Sequence, residues 1–198
     1  KIIATACVGT VLLWMGTVLP AQAAPAAGHF ANGAMSHRRS FLAGAFLDKG
    51  IAAYKSGNYT LALQYFHDAD EHGHSKASRY IGLCYENGYG VEKNLKTAVQ
   101  WYTKAMQRGD VTGTYYLGHM YEDGLGVAVD YTRAREMYEK ASYRSDIISA
   151  PAQNALGRMY EKGEGVPANL SMARQWYEKA SMAGYEEATD ALVRLGEP

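Results

Sequence analysis

The residues with the most potential for metal or acid–base chemistry lie at positions 67–74, which read HDADEHGH. Imidazole and carboxylate groups ligate metals and act as general acids and bases. On a helix His67 and Glu71 would share a face, but His67 and His72 would not, and Gly73 would end the helix beside them. No HExxH spacing occurs. The segment therefore predicts a polar helix end, with no metal site.

Motifs of nucleophilic and nucleotide chemistry are also missing from the sequence. There is no Gly-x-Ser-x-Gly elbow and no phosphate-binding loop. Cys84 falls on the apolar side of a helical pattern, which predicts a small core hydrophobe and a poor nucleophile. The sequence thus favours a non-enzymatic protein that uses no cofactor.

Composition limits the remaining classes of protein. The chain has 198 residues, 47% of them hydrophobic, which suits one domain, or at most two, with a real core. Twenty Lys+Arg balance twenty Asp+Glu, so the basic excess typical of nucleic-acid binding is missing. Two cysteines are too few for a disulfide-dense scaffold. We therefore expect a folded protein with no nucleic-acid partner.

The first segment, residues 1–23, has the pattern of a secretory signal peptide. Lys1 precedes an apolar run that Pro20 interrupts, and Ala21-Gln22-Ala23 is a small-x-small cleavage site. Cleavage after Ala23 would leave a periplasmic or secreted bacterial protein without a stable membrane span. The alternative is that the segment is retained as a transmembrane anchor, because its length is near the minimum for a span.

A twelve-residue motif then occurs three times. It reads YIGLCYENGYGV from Tyr80, YLGHMYEDGLGV from Tyr116 and ALGRMYEKGEGV from Ala155. The second half of each unit also repeats, with Ala98, Trp101-Tyr102 and Ala105 matching Ala134, Met137-Tyr138 and Ala141 and then Ala173, Trp176-Tyr177 and Ala180. A weaker unit precedes them and lacks the Gly-x-Gly-Val loop. Such internal repetition is the signature of a repeat architecture.

Each unit is predicted to form two antiparallel helices. The spacing of Ala77, Ile81, Cys84 and Tyr85 gives the first helix one apolar face, and the Gly-x-Gly-Val segment ends it. The N-caps predicted for the second helices are Asn94, Asp130 and Asn169. Glycines recur inside the first helices, at a cost of about 1 kcal/mol each relative to alanine, so we expect a neighbouring helix to approach closely there.

The consensus Leu-Gly-x-Met-Tyr-Glu-x-Gly-x-Gly-Val, then Asn or Asp, then Ala-x-x-Trp-Tyr-x-Lys-Ala, resembles the Sel-one-like repeat, a variant of the tetratricopeptide repeat. The resemblance covers residues 75–184 and extends more loosely over 41–73. It implies an all-α fold, an α/α superhelical solenoid of antiparallel helix pairs, whose first helices line the concave side and hold other proteins.

The predicted organisation is a signal peptide at 1–23, a flexible linker at 24–40, a degenerate tetratricopeptide-like repeat at 41–74, repeat 1 at 75–110, repeat 2 with a three-residue insertion at 111–149, repeat 3 at 150–184 and a C-terminal capping helix at 185–198. The capping helix is predicted from an apolar stripe of alanines and leucines. The sequence does not assign a role to the insertion.

Nine first-helix positions differ between the units and form one stripe at helical spacing. They are Arg79, Leu83, Asn87, Tyr115, His119, Asp123, Asn154, Arg158 and Lys162. Our hypothesis is that they form the centre of a partner-binding surface, with Tyr115 and Arg158 as anchors, because Tyr and Arg are enriched at binding hot spots. The alternative is that they are simply solvated. The recurring tyrosines, tryptophans and glutamates are interpreted as structural.

The sequence therefore predicts a protein–protein interaction scaffold or adaptor of the cell envelope or secreted space, such as an immunity or host-interaction protein. Two alternatives remain. One is a peptidoglycan- or polysaccharide-binding protein, because tyrosines can stack on sugars. The other is an enzyme of the β-lactamase or wall-modifying kind, because some cysteine-rich secreted members of the family have been associated with penicillin binding. Their paired-cysteine framework is absent here.

Overall fold

The fold is an array of paired helices. The computed structural model describes residues 28–196, which form nine helices and no strand. They are α1 Gly28–Lys55, α2 Tyr59–Glu71, α3 Ala77–Asn87, α4 Leu95–Gln107, α5 Val111–Asp123, α6 Tyr131–Ala141, α7 Ala150–Lys162, α8 Leu170–Met182 and α9 Glu186–Arg194. The predicted signal peptide lies outside the described residues.

Contacts between helices follow the order of the chain. The most extensive contacts are within the pairs α1–α2, α3–α4, α5–α6 and α7–α8, and each second helix then packs against the first helix of the next pair. Helix α9 packs against α8, with Ala188 and Ala191 buried on its inner side. Contacts of this nearest-neighbour kind define a solenoid. The prediction of an all-α solenoid is confirmed.

The sequence predicts a flexible linker at residues 24–40, but in the structure residues 28–40 are helical and belong to α1. The segment contains alanine, methionine and arginine residues, which are strong helix formers, but the sequence interpretation gave more weight to the turn-prone residues. The guanidinium of Arg39 also donates a hydrogen bond to the backbone carbonyl of Glu71 at 2.8 Å, which ties this part of α1 to the end of α2.

Capping residues set the ends of the helices as predicted. The side chains of Asn94, Asp130 and Asn169 each accept a hydrogen bond from the backbone N–H three residues on, at 3.0, 2.9 and 3.0 Å. The first helices end at Gly88, Gly124 and Gly163, all in the left-handed conformation. The starts of the second helices and the ends of the first helices are therefore fixed by local sequence.

A glycine inside each first helix faces a tyrosine ring of the second helix in the same repeat. The pairs are Gly82 with Tyr102, Gly118 with Tyr138 and Gly157 with Tyr177. A Cβ atom at these glycines would lie 2.6, 2.7 and 2.5 Å from the nearest ring carbon. All three tyrosines are fully buried. The expected close approach of a neighbouring helix is thus confirmed, and it explains why glycine recurs in a helix interior.

The second glycine of each Gly-x-Gly loop makes the contact to the preceding repeat. A Cβ at Gly90, Gly126 or Gly165 would lie 2.5 to 2.7 Å from the backbone at Tyr59, Leu95 or Tyr131, the first residues of α2, α4 and α6. No side chain fits between the two backbones. These loops therefore fix the distance between consecutive repeats.

The insertion before α7 forms an ordered turn that exposes apolar side chains. The carboxylate of Asp146 accepts hydrogen bonds from the backbone N–H groups of Ile148 and Ser149, at 3.2 and 3.1 Å. The amide of Gln153 donates to the carbonyl of Arg144 at 2.7 Å. Ile147 and Ile148 are both exposed, so they do not fill a gap in the core.

Substituting Gly118 by alanine tests the glycine–tyrosine contact. The new methyl group would overlap the Tyr138 ring, and we expect a loss of about 1–3 kcal/mol in the free energy of unfolding. The matched control is Gly44→Ala in α1, where a Cβ has open space. That change should stabilise the protein by about 0.5–1 kcal/mol through helix propensity. Urea unfolding followed by circular dichroism measures both, and an equal gain in both variants would contradict the steric explanation.

Candidate functional site

The nine predicted binding residues lie on α3, α5 and α7, and we call them the first-helix stripe. Three of them, Asn87, Asp123 and Lys162, occupy equivalent positions at the ends of these helices and are exposed. The other six are half-buried. Helices α3 and α5 contact each other directly, which places these parts of the stripe side by side. The structure thus places the α3 and α5 parts of the stripe side by side, and it exposes the nine residues unequally.

Arg79 connects α3 to the residue that starts α5, the first helix of the next repeat. Its guanidinium lies 3.3 and 3.4 Å from the two carboxylate oxygens of Asp110, and it stacks on the Tyr80 ring at 4.8 Å. Asp110 in turn accepts a hydrogen bond from the Gly113 N–H at 2.5 Å and so caps α5. The Arg79 side chain is only 13% exposed. Arg79 therefore has a structural role at this junction.

Arg158, one of the two predicted anchors, connects the second and third repeats. Its Nη2 donates to both carboxylate oxygens of Glu122, at 2.9 and 3.0 Å. Burial acts to lower the pKa of Arg158, but the negative charge of Glu122 outweighs it and raises the pKa. The Glu122 side chain is 9% exposed and that of Arg158 is 41% exposed, so the carboxylate is shielded from water whereas the arginine is partly open to it. Arg158 is tied to its own fold, and its role as an anchor remains a prediction.

Tyr115, the other predicted anchor, belongs to an aromatic cluster. Its ring centroid lies 5.7 Å from that of Tyr138 and 5.6 Å from that of Tyr116. Burial raises the pKa of Tyr115 to about 12. Much of this ring is consequently occupied by intramolecular packing, and its role in binding likewise remains a prediction.

The remaining half-buried residues of the stripe have different environments. Leu83 packs against the core between α4 and α5. His119 Nε2 lies 3.4 Å from a carboxylate oxygen of Asp123, one turn further along α5. Asn154 lines a cleft of about 420 Å³ together with Arg158, Tyr185 and Arg194. In the described part of the chain, the buried side-chain oxygen of Asn154 has no hydrogen-bond partner.

A feature that the sequence only hinted at is a tyrosine–glutamate pair in each complete repeat. The hydroxyl groups of Tyr102, Tyr138 and Tyr177 donate to Glu86, Glu122 and Glu161 respectively. The tyrosine follows its glutamate by 16 residues every time, a constant spacing that could have revealed the pairs. Burial is the main cause of the raised pKa of Tyr102 and Tyr177, and the hydrogen bond to the glutamate raises it further. The recurring glutamates are therefore structural acceptors, as the sequence interpretation favoured.

Two of these glutamates also bind a guanidinium from the following structural unit. Glu122 binds Arg158 of α7, and Glu161 binds Arg194 of α9 through both terminal nitrogens. The hydrogen bond from Arg194 is the main reason why the pKa of Glu161 falls to about 2. No cationic side chain within residues 36–196 forms an ion pair with Glu86. The carboxylates of Glu122 and Glu161 are therefore each paired with an arginine, whereas that of Glu86 is not paired with one in this part of the chain.

A buried charged network was missed entirely. Asp70 accepts hydrogen bonds from Ser78 at 2.6 Å, Lys104 at 2.6 Å and Arg108 at 2.5 Å, and so connects α2, α3 and α4. Burial acts to raise the pKa of Asp70, but its hydrogen bonds with Lys104 and Ser78 and the nearby positive charges lower it overall. The position of Asp70 one turn after the buried Phe66 was a signal that it points inward.

The other groups considered for chemistry have structural environments. Among the side chains of residues 36–196, no group of three or more His, Cys, Asp or Glu is arranged to hold a metal. Cys84 is fully buried, and burial raises the pKa of its thiol to about 12. A thiol in this environment remains protonated and unreactive at neutral pH.

Comparison with known proteins identifies the family. The sequence profile named Sel1 repeat matches residues 41–74, 75–110, 112–146 and 150–185. The chain belongs to the Sel1 repeat family. Sel1 repeats generally mediate interactions between proteins. The predicted resemblance is confirmed, and the weak first unit is a member of the array.

Solved structures of Sel1 repeat proteins share the fold. A Sel1 repeat protein from Oxalobacter formigenes is 33% identical with a TM-score of 0.66, over 72% of this chain and 57% of that one. The protective antigen c5321 of uropathogenic Escherichia coli is 34% identical with a TM-score of 0.69, over 76% of this chain and 32% of the antigen. Cysteine-rich protein B of Helicobacter pylori is 27% identical with a TM-score of 0.53, over 68% of this chain and 95% of that protein.

Curated relatives match over short segments only. Rat DAP3-binding cell death enhancer 1 is 43% identical over 51 residues, which are 26% of this chain and 10% of the relative. HcpE of Helicobacter pylori strain J99, whose name includes the label beta-lactamase, is 48% identical over 46 residues, or 23% of this chain and 13% of HcpE. The matches span about a tenth of the length of these curated relatives.

A double-mutant cycle tests the inter-repeat ion pair. Arg158→Ala leaves the shielded carboxylate of Glu122 without its cation, so the free energy of unfolding should fall by about 1–2 kcal/mol. When Glu122 is first changed to Gln, the same Arg158→Ala substitution should lower the free energy of unfolding by less, because the two residues interact directly. Arg133→Ala, at an exposed arginine of α6, is the control and should change stability little. Purely additive effects of the first two changes would contradict a direct pair.

The Asp70 network predicts a dependence of stability on pH. Because the pKa of Asp70 is lower in the folded state than the usual 3.8, its contribution is present above that pH and is lost as the pH falls through the folded-state pKa. We expect Asp70→Asn to destabilise the protein at pH 7 and to flatten the decline of stability below pH 4. Urea unfolding between pH 2.5 and 7 measures this, with Asp48→Asn, an exposed change on α1, as the control. If the pH profile of Asp70→Asn matched that of the wild type, the predicted contribution of the Asp70 carboxylate to stability would be wrong.

Proposed function

We propose that this Sel1 repeat protein is a non-enzymatic scaffold that binds a segment of a protein partner across the concave first-helix stripe. The observation that carries the proposal is the set of exposed residues at equivalent positions, Asn87, Asp123 and Lys162. One is neutral, one negative and one positive, although the neighbouring structural positions repeat. Complementary charges of this kind give an interface its specificity and orientation.

The distribution of structural roles supports this proposal. The tyrosines, glycines and glutamates that hold the repeats together recur in each complete unit, so the stripe is where the units differ chemically. Its half-buried members are held rigidly by contacts such as Arg79 with Asp110 and Arg158 with Glu122. A rigid surface binds a partner at a smaller entropic cost than a mobile one.

The name of one similar protein agrees with a binding role. The rat relative is named for binding DAP3, and the Escherichia coli structure is described as a protective antigen. The name of HcpE is the argument for an enzyme, but this chain matches only 13% of the length of HcpE. The single cysteine among the described residues is buried, so it offers no accessible nucleophile.

We further propose that the protein acts in the cell envelope or outside the cell, as an immunity or host-interaction adaptor. The support is the sequence of residues 1–23, with its basic start, apolar run and small-residue cleavage pattern. Among residues 28–196, no helix has the length and apolar character needed to cross a membrane.

Matched surface variants test the binding site. The first carries Asn87→Arg, Asp123→Lys and Lys162→Glu on the stripe. The second carries Gln100→Arg, Glu136→Lys and Lys140→Glu, the same kinds of charge change at exposed positions on second helices. Proteins crosslinked to the wild type in native envelope extracts are identified, purified and titrated against both variants. We expect the stripe variant to lose at least about tenfold in affinity and the control to keep it.

Three results would contradict the proposal. Equal affinity of the two variants would remove the stripe as the site. Saturable binding to purified peptidoglycan or polysaccharide, with no protein captured, would favour a glycan-binding protein. Turnover of a β-lactam or wall substrate that is lost on changing one polar residue would favour an enzyme.

A further inference from the structure

The three tyrosine–glutamate pairs indicate a binding subsite at the first of them. In the second repeat, Tyr138 and Arg158 both bind the carboxylate of Glu122. In the third, Tyr177 and Arg194 both bind that of Glu161. The chain itself thus shows twice that a tyrosine-backed carboxylate on a first helix accepts a guanidinium from the next unit.

Arg158 and Arg194 occupy the same position in their helices, on α7 and α9. The residue at that position on α5 is His119, which stands 33 residues after Glu86, just as Arg194 stands 33 residues after Glu161. The imidazole of His119 lies beside Asp123 of its own helix, 3.4 Å away. It is shorter than an arginine and does not reach Glu86. In the region that the structure describes, Glu86 therefore accepts only the Tyr102 hydroxyl, at 2.5 Å.

The surroundings of Glu86 keep its carboxylate in a fixed position. Tyr102 is fully buried, and its ring stacks on that of Tyr116 at 5.3 Å. Glu86 itself is half-buried on α3, one residue before the exposed Asn87 of the stripe. A carboxylate held by one hydrogen bond keeps acceptor capacity for a bidentate cation. This is the arrangement that is filled by an arginine in the other two repeats.

We propose that Glu86, with Tyr102 behind it, is a subsite for the guanidinium of an arginine side chain of the protein partner. The partner's arginine takes the place that Arg158 and Arg194 take in the later repeats. Arginine is favoured over lysine because its planar fork binds both carboxylate oxygens, whereas an ammonium binds as a point charge. The biological meaning of the subsite rests on the proposed scaffold function, but its chemistry does not.

The test uses the purified chain and N-acetyl-arginine amide as the probe, followed by NMR titration of the ring signals of Tyr102 and His119. We expect saturable shifts with the arginine probe, binding weaker by about tenfold with the lysine analogue, and none with the uncharged citrulline analogue. Equal shifts from all three compounds, or no shift from any of them, would overturn the proposal.

Two variants at His119 make the test independent of damage to Glu86. His119→Arg should fill the subsite from within, as Arg158 does for Glu122, so it should abolish binding of the probe and raise the midpoint of urea unfolding. His119→Gln should keep binding. Glu86→Gln, with its fold checked by circular dichroism, should lose it. Binding that survives in His119→Arg would place the probe elsewhere and reject the subsite.

The two proposals can fail separately. If the probe does not bind, yet the stripe variant loses its partner, the subsite is wrong and the scaffold function stands. If the probe binds as expected while the stripe variant keeps full affinity for every captured protein, the subsite is real and the proposed binding surface is wrong.

Discussion

The buried tyrosine of each complete repeat is the contact on which the rest of the array depends. Its ring lies against a first-helix glycine so closely that no larger residue fits, and this fixes the distance between the two helices. Its hydroxyl is far from water and needs an acceptor, which the glutamate four residues after that glycine supplies. Helix spacing, the helical glycine and the recurring position of the glutamate are thus three consequences of one packed ring.

Polar contacts between repeats vary along the chain, whereas contacts within a repeat are the same each time. Inside a repeat, the tyrosine–glycine–glutamate group is the same each time. Between repeats, the Gly-x-Gly loops provide a uniform spacing through backbone contact, whereas the polar links vary, from Arg79 with Asp110 to Arg158 with Glu122. The array is therefore regular in shape and irregular in charge. This combination suits a surface whose shape is common to a family and whose partners are not.

The sequence predicts well whatever is determined within one repeat. The caps at Asn94 and Asp130 and the close contact at Gly82 depend on residues a short distance apart, and internal repetition confirms each of them several times. The buried network around Asp70 and the pair of Arg158 with Glu122 join residues 30 or more positions apart, so they depend on how one repeat is rotated against the next. Periodicity indicates which side of a helix faces inward, but it does not reveal which charges meet across a junction.

The division between internal and inter-repeat contacts has an evolutionary consequence. Repeat arrays change length when recombination adds or removes a whole unit. Such an event leaves every tyrosine–glycine–glutamate group intact, because all three residues belong to one unit. It changes the cation that each glutamate meets, however, because that cation comes from the next unit. Removal of the second repeat would bring Arg158 into the place of His119 and close the carboxylate of Glu86 from within. Gain or loss of a unit can therefore alter the charge around a glutamate in a neighbouring repeat whose own sequence has not changed.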